Sequence, residues 1–174
     1  MSIISPVDPD RLDDQRRQAF QDEVTRVGQV TNMKRAILHS LPAYRTYKEF
    51  YALQLATRQL VGERAFNIFA YAISSGSDCL LCSTFFRRLL RESGIDPKDF
   101  EPTAVEKILI DIGGAIGRGE RALPQETQAR LRQHFDEAGI VTLVAFAGTM
   151  VATNIFNSVL EIDLDDYLQG YQDA

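Results

Sequence analysis

The sequence lacks the excess of positive charge with which nucleic-acid-binding proteins hold phosphate backbones. It has 19 lysine and arginine residues against 24 aspartate and glutamate residues, which gives a formal net charge of −5 at pH 7. A surface with this balance offers no basic field to a polyanion. We therefore expect no nucleic-acid partner.

Long apolar runs are also missing. The longest, 140-IVTLVAFAGTMVA-152, has about 13 residues and is followed by Thr153, Asn154 and Asn157, whereas a membrane-spanning helix needs about 20 apolar residues. The opening stretch, 1-MSIISPVDPDRLDDQRR-17, turns acidic and polar within a few positions and does not resemble a secretory signal. We expect a buried helix at 140–152, no membrane partner and a cytoplasmic location.

Strand-like alternation of apolar and polar residues is absent, and helical periodicity extends over nearly the whole chain. The sequence predicts an all-α fold with about seven or eight helices and no sheet, in one domain spanning 1–174. Prolines, glycines and capping residues place the helices at about 9–27, 31–38, 42–62, 63–74, 78–93, 103–117, 124–139 and 140–160, followed by an acidic surface tail at 161–174.

Cysteine and histidine are too scarce for a structural zinc site. Such a site needs four ligands, and the chain has two cysteines and two histidines, with no second short-spaced pair. His39 and His134 lie far from the cysteines in sequence. We expect no metal and no cofactor.

The two cysteines stand three residues apart in 76-GSDCLLCSTFFRRLL-90. On a helix that Ser77 or Asp78 caps, Cys79 and Cys82 share a face, and Cys79 lies in the first turn, where free amides and the helix dipole stabilise a thiolate. An accessible thiolate with a second thiol beside it is what disulfide exchange or peroxide reduction needs. The alternative is that both are core cysteines.

The core alternative follows from the same helix. The face that bears the cysteines continues through Phe86, Leu89 and Leu90, while the arginines alternate with it and are expected to face solvent: Arg87, Arg88 and Arg91. Spacing alone leaves the two interpretations open.

Several stretches together resemble the alkylhydroperoxidase D-like and carboxymuconolactone decarboxylase superfamily. They are the break at Ser75-Gly76 with the Cys-x-x-Cys helix after it, the stretch 32-NMKRAILHSLPAYRTYKEFYALQ-54, and 128-QARLRQHFDEAGIVTLVAFAGTMVATNIFNSVLEIDL-164, whose N-x-x-N ending matches Asn154 and Asn157. The resemblance covers roughly 30–165. It implies an alkylhydroperoxidase D-like helical bundle that assembles into homo-oligomers, commonly trimers or hexamers.

The resemblance also implies two kinds of activity. The peroxidase branch of the family reduces hydroperoxides with its two cysteines, and a thiol partner then reduces the resulting disulfide; the second cysteine, here Cys82, attacks the peroxide and the first resolves it. The electrostatic argument above instead favours Cys79 as the more acidic thiol. The lactone decarboxylases do acid and base chemistry on a small carboxylated lactone without relying on the dithiol.

Two relay positions of the peroxidase pattern are altered here. The family's histidine, four residues after the second cysteine, is replaced by Phe86, and its glutamate, twelve residues before the first, by Asn67. Neither side chain can relay a proton. Glu63 is the nearest carboxylate and His39 a further proton carrier, although Glu63 also suits a helix first turn and His39 a packing role. His134 and the tyrosines Tyr47, Tyr51 and Tyr71 are given no role.

Phenylalanines near the dithiol predict an apolar pocket for a bulky hydroperoxide or disulfide, although some of them belong to the core: Phe66, Phe69, Phe85 and Phe86. The leading hypothesis is a homo-oligomeric thiol peroxidase or disulfide-exchange protein that uses Cys79 and Cys82 with a hydroperoxide substrate and a thiol reductant. The alternatives are a decarboxylase-like enzyme with Glu63 or His39 as base, and a non-catalytic redox-sensing scaffold.

Overall fold

The computed structural model describes residues 2–172, and these residues fold into α-helices without any β-strand. The elements are α1 (Asp14–Val27), α2 (Asn32–Ile37), α3 (Leu41–Val61), α4 (Glu63–Gly76), α5 (Leu80–Glu92), α6 (Ala104–Gly117), α7 (Gln125–His134) and α8 (Glu137–Val159), with short 3-10 helices at Pro9–Arg11 and Asp166–Tyr171. The predicted all-α fold without a sheet is confirmed.

Helix α4 lies at the centre of the main core. It packs on α5 and α6 and also contacts α3 and α8. Phe66 and Phe69 of α4 are fully buried, and their ring centroids lie 5.1 and 5.7 Å from that of Phe146 in α8. Because residues three apart on a helix share a face, these two rings together hold α4 against α8.

The carboxyl ends of α4 and α6 approach each other at backbone distance. A Cβ atom on Gly117 would lie 2.4 Å from the carbonyl oxygen of Ile73, and one on Gly76 would lie 2.8 Å from that of Gly114. Only glycine leaves room for such a crossing. The Ser77 hydroxyl also donates to the Gly117 carbonyl, at 3.2 Å. The crossing thereby fixes the position of the turn after α4, which leads directly to Cys79.

The start of α5 differs from the prediction. Neither Ser77 nor Asp78 caps this helix; it begins at Leu80, and Cys79 itself is the N-cap residue rather than a first-turn residue. Asp78 adopts the left-handed conformation, with φ 49°, and the Cys79 amide donates to the Ser74 carbonyl at 3.1 Å. Ser77 and Asp78, the two residues predicted as caps, therefore form the tight turn between α4 and α5.

The chain after α8 is more than an acidic surface tail. Its 3-10 helix, Asp166–Tyr171, packs on α5 and buries Leu168 completely. Arg87, which was expected to face solvent, is only 5% exposed, and its guanidinium donates to the Tyr171 carbonyl at 3.0 Å. The solvent-facing prediction for Arg87 was wrong because a segment distant in sequence covers that side of α5.

The boundary between α7 and α8 also lies earlier than predicted. The Asp136 carboxylate accepts from the Gly139 amide at 2.8 Å and caps α8, so that Gly139 lies in the first turn of α8 instead of ending α7. The helices predicted to start at about 31 and 103 do start there, since Thr31 caps α2 and Thr103 forms a capping box with Glu106 at the start of α6.

Helix α8 is longer than its apolar run suggested. By length and composition alone, it is the one helix within residues 2–172 that could cross a bilayer. The apolar run of about 13 residues in the sequence therefore underestimates the length of the apolar helix. Its buried face carries Thr153, Asn154 and Asn157, and it packs against α3, α4, α5 and α6. Of its most apolar stretch, 39% is buried within the single chain.

Candidate functional site

The two cysteines lie where α4 turns into α5, and both are free thiols in the structure. Cys79 is 1% exposed and Cys82 is 6% exposed. Cys79 is anchored by its amide, which donates to Ser74, and by its carbonyl, which accepts from the Ser83 amide at 2.9 Å. The Cys82 thiol lies close to the Cys79 sulfur and favours its ionised form.

This contact separates the pKa values of the pair. The hydrogen bond from the Cys82 thiol is the largest cause that lowers the pKa of Cys79, to about 7, while burial opposes the shift. The amides of Cys82 and Leu81 and the Ser158 hydroxyl lower it further, although no amide reaches regular capping geometry with the sulfur. Cys79 is therefore the sulfur that ionises near neutral pH.

Cys82 behaves in the opposite way. Its hydrogen bond to Cys79, its burial and the negative charge on Cys79 raise its pKa well above the usual range of a thiol. The order of the two pKa values is the one that the sequence suggested, but its main cause is the neighbouring thiol rather than the helix dipole.

The end of α8 supplies polar partners to the sulfur atoms. The Asn157 amide donates to Cys82 Sγ at 3.2 Å and favours its ionised form. Asn157 is 3% exposed, and its Oδ1 has no hydrogen-bond partner among the described residues. The hydroxyl of Ser158, the next residue, lowers the pKa of Cys79. The same turn of α8 therefore influences both sulfur atoms.

The two sulfur atoms open into different cavities. Cys82 lines a cavity of about 150 Å³ that is mainly apolar and aromatic. Its walls include Tyr47, Phe50, Tyr51, Phe85, Phe86, Met150 and Tyr167, and its polar groups include Thr31, Lys34, Gln54, Thr153, Asn157 and Asp165. Cys79 lines a cleft of about 550 Å³ whose other residues include Asp78, Ser158, Glu161 and Asp163. Among residues 2–172, only Asn157 and Leu81 line both cavities.

The predicted pocket residues divide into two groups. Phe85 and Phe86 line the cavity at Cys82, and their rings meet edge to face at 5.1 Å. Phe66 does not line the cavity; it is fully buried behind Phe86, at 6.3 Å between centroids. Asn67 is also buried, and its Nδ2 donates to Glu63 Oε1 at 3.4 Å while its Oδ1 has no partner. Phe69 belongs to the core.

The candidate proton carriers lie elsewhere. Glu63 is exposed, pairs with Arg58, and lines a separate cleft in which His134 also lies. His39 is exposed and its Nε2 contacts the Ser5 carbonyl at 2.8 Å, and the exposed His134 contacts the Arg130 carbonyl. The structure therefore brings Cys79 and Cys82 together but places Glu63 and His39 outside both cavities at the sulfur atoms.

Sequence reasoning missed Asn157, Ser158 and Lys34 as site residues. The N-x-x-N ending of α8 was noticed as part of a pattern, but nothing in it shows that its second asparagine reaches a cysteine 75 positions away. Lys34, on α2, is 9% exposed and lines the cavity at Cys82. Within residues 2–172, no three or more His, Cys, Asp and Glu side chains are grouped to hold a metal ion.

No protein-family profile and no curated protein matches the sequence, but solved structures do. A peroxidase-related protein from Silicibacter sp. TM1040, described as uncharacterised, has 17% sequence identity and a TM-score of 0.72, over 97% of this chain and 98% of that one. A second, from Ralstonia eutropha JMP134 and described as an alkylhydroperoxidase AhpD core, has 16% identity and a TM-score of 0.74, over 96% and 94%.

The debrominase Bmp8 superposes equally well. Its apo structure has 13% identity and a TM-score of 0.77, over 98% of this chain and 96% of that one. A cysteine-to-alanine variant of Bmp8, solved in complex with 2,3,4-tribromopyrrole, gives the same identity and TM-score. The chain therefore has the alkylhydroperoxidase D-like fold, and the superfamily resemblance in its sequence is confirmed at the level of that fold.

Proposed function

We propose that the protein is a thiol-dependent oxidoreductase that reduces a small organic hydroperoxide with the dithiol of Cys79 and Cys82. The observation that carries the proposal is the pair of neighbouring free thiols with separated pKa values, one of which lines an apolar cavity. A thiolate beside a second thiol is the arrangement that peroxide reduction and disulfide exchange require.

In this proposal Cys82 attacks the substrate and Cys79 is its base. Cys82 is the sulfur that lines the apolar cavity, where an organic substrate has room to bind. Cys79 already accepts a hydrogen bond from the Cys82 thiol, and its pKa of about 7 suits a base that works near neutral pH. Cys79 thereby accepts the proton that neither Phe86 nor Asn67 can carry.

The reaction balances over two steps. Cys79 removes the Cys82 proton as the Cys82 sulfur attacks the distal peroxide oxygen; the O–O bond breaks, and the departing alkoxide takes the proton to leave as an alcohol. The Cys79 thiolate then attacks the Cys82 sulfenic acid, and hydroxide leaves as the disulfide forms. A dithiol partner restores both thiols by exchange, most directly at Cys79 from the polar cleft.

The test starts from fully reduced protein treated with one equivalent of cumene hydroperoxide. We expect the loss of both free thiols and of about 2 Da by intact mass, and continuous peroxide consumption when dithiothreitol is present. Cys82→Ser should abolish turnover. Cys79→Ser should form, more slowly, a sulfenic acid on Cys82 that dimedone traps. Unchanged thiols and unconsumed peroxide contradict the proposal, and oxidation without turnover supports a redox-sensing scaffold instead.

Reductive dehalogenation is a second candidate, because the cavity at Cys82 is walled by aromatic rings and one structural neighbour is a debrominase. The same dithiol supplies the two electrons: the Cys82 sulfur takes bromine from a ring carbon, that carbon takes a proton, and Cys79 displaces bromide as the disulfide forms. Bromide release from 2,3,4-tribromopyrrole by reduced protein, and its loss in Cys82→Ser, would favour this function over peroxide reduction.

The lactone-type alternative needs an acid or base away from the dithiol. Neither Glu63 nor His39 lines the cavity at Cys82, so the geometry lends this function less support than dithiol chemistry. It predicts that a double Cys79→Ser, Cys82→Ser variant stays active on its substrate.

We also propose that the protein works as a homo-oligomer, a trimer or hexamer. Large apolar side chains of α8 are solvent-exposed in the single chain, namely Val141, Val144, Ile155 and Val159. Exposed apolar patches of this kind favour association with another copy. Light scattering during size exclusion should give a multiple of the 174-residue chain, and Val144→Glu should lower it. A monomer at micromolar concentration would contradict this proposal.

A further inference from the structure

Lys34 is a buried lysine in the wall of the cavity at Cys82. It lies in the first turn of α2, where its amide donates to the Thr31 hydroxyl, and only 9% of its surface is exposed. Lysines are almost never this buried without a partner, because removing an ammonium from water is costly. The groups around Lys34 therefore indicate what kind of ligand its ammonium binds.

No hydrogen bond or ion pair of the Lys34 ammonium is found among the described residues. It lies 4.8 Å from the ring centroid of Tyr51 and 6.0 Å from that of Tyr44, where the ring faces attract a cation without accepting its hydrogens. Its three N–H donors are therefore available to water or to a ligand.

The nearby carboxylates are already engaged. Glu23, 1% exposed, accepts from the Tyr44 hydroxyl at 3.0 Å on one oxygen and from Arg26 on the other. Asp165, which lines the same cavity, accepts from the Asn32 amide at 2.8 Å. The negative charge of Glu23 favours the Lys34 ammonium, but Glu23 makes its hydrogen bonds to Tyr44 and Arg26. Lys34 is therefore a cavity-lining cation that shares this anion with an arginine.

The rest of the cavity indicates the shape of a ligand. Its walls are mainly aromatic and its volume of about 150 Å³ is close to that of an engineered cavity in another protein that binds benzene. An apolar body of one ring fits this volume, and one acidic group on that ring would meet the Lys34 ammonium.

We propose that Lys34 anchors the substrate, and that the substrate is a ring-sized apolar molecule with one acidic group, a carboxylate or a phenolate. This inference rests on the proposed function only in using the same cavity. The acidic group binds the Lys34 ammonium by a charge-assisted hydrogen bond, and the apolar body lies against the aromatic walls, beside Cys82.

The test compares two isosteric probes that undergo no redox chemistry. Benzoate and benzamide are titrated calorimetrically into reduced wild-type protein, Lys34→Met and Lys48→Met. Lys48 is a matched control, because its ammonium also lies over Tyr44, at 5.9 Å, but pairs with Asp22 and does not line the cavity. Both variants are checked for folding by circular dichroism.

We expect wild-type protein and Lys48→Met to bind benzoate about 10- to 100-fold more tightly than benzamide, as a hydrogen bond between charged groups implies. Lys34→Met should lose this preference. Equal affinity of the wild-type protein for both probes, no binding of either at millimolar concentration, or an unchanged preference in Lys34→Met would each overturn the assignment.

The preference for benzoate should also depend on pH. Burial lowers the pKa of Lys34 to about 8, opposed by Glu23 and assisted by Arg26 and Lys48. The ammonium is therefore lost as the pH rises above about 8, and benzoate affinity should fall there while benzamide affinity stays constant. Tyr44, Tyr51, Asp165 and Cys82 are the other titratable groups that face Lys34 or share its cavity.

The two proposals can fail separately. Turnover of the neutral cumene hydroperoxide without any preference for benzoate contradicts the role of Lys34 alone. A preference for benzoate that Lys34→Met abolishes, in a protein that leaves peroxide untouched, contradicts the peroxidase proposal alone.

Discussion

Replacing Asn157 by alanine tests whether α8 activates Cys82, the sulfur that we propose attacks the substrate. The Asn157 amide donates to Cys82 Sγ at 3.2 Å and lowers its pKa, against the larger effects that raise it. Asn157→Ala removes this donor and leaves the Cys79 contact in place. The variant should therefore ionise Cys82 less readily and attack peroxide more slowly.

The expected size follows from the energy of the hydrogen bond. A hydrogen bond to a charged group contributes about 1.5–3 kcal/mol, and one pKa unit corresponds to about 1.4 kcal/mol, so the pKa of Cys82 should rise by about one to two units. Each unit reduces the thiolate tenfold, but a more basic thiolate is intrinsically about threefold more reactive. The net effect is a rate about 3- to 15-fold lower.

The assay is a single turnover of reduced protein with cumene hydroperoxide, in which free thiols are counted in quenched samples. Asn154→Ala is the matched control, because Asn154 is also buried in α8, loses the same atoms, and has no hydrogen-bond partner at either polar atom among the described residues. A wild-type rate in Asn157→Ala, or an equal decrease in Asn154→Ala, would refute the activation of Cys82 by Asn157.

The dithiol should titrate in two well-separated steps. Thiolate absorbance at about 240 nm should rise once with a midpoint near pH 7, for Cys79, and again only at strongly alkaline pH, for Cys82. Cys79→Ser should abolish the first step. A single step near the pKa of a free thiol would contradict the interaction between the two sulfur atoms. At the helix crossing, Gly117→Ala should destabilise the protein by about 1–3 kcal/mol in chemical denaturation, because its Cβ meets the Ile73 carbonyl oxygen. The matched control is Gly114→Ala on the same helix, whose nearest contact is a flexible arginine tip; it should be neutral or stabilising, and equal losses in both variants would contradict the close approach.

Local signals in the sequence were enough to predict most of the helices. Thr31, Ser40 and Thr103 accept from backbone amides at the starts of α2, α3 and α6, and Gly62 separates α3 from α4, because these interactions join residues only a few positions apart. The pairing of Cys79 with Cys82 is local in the same sense.

The remainder of the site depends on contacts between distant segments. Arg87 is buried because the 3-10 helix after α8 folds back on α5, and Asn157 reaches Cys82 because α8 packs beside it. Lys34 looks like a surface residue in its own helix, and it is buried only where α2 meets the aromatic residues of α3. Neither hydrophobic periodicity nor helix-capping rules can predict these contacts between distant segments.

The altered relay positions also make physical sense together. Phe86 is 5% exposed and packs edge to face with Phe66 and Phe85, so this place in the fold is apolar and would penalise a charged histidine. Asn67 is buried as well, and its Oδ1 has no hydrogen-bond partner among the described residues. An apolar wall at Phe86 and a proton path from Cys82 to Cys79 are compatible, because the proton moves between two sulfur atoms in contact. The chemistry of the dithiol then depends on the end of α8 and on the turn before α5, which are the parts of the chain that hold Asn157, Ser158 and Cys79 in place.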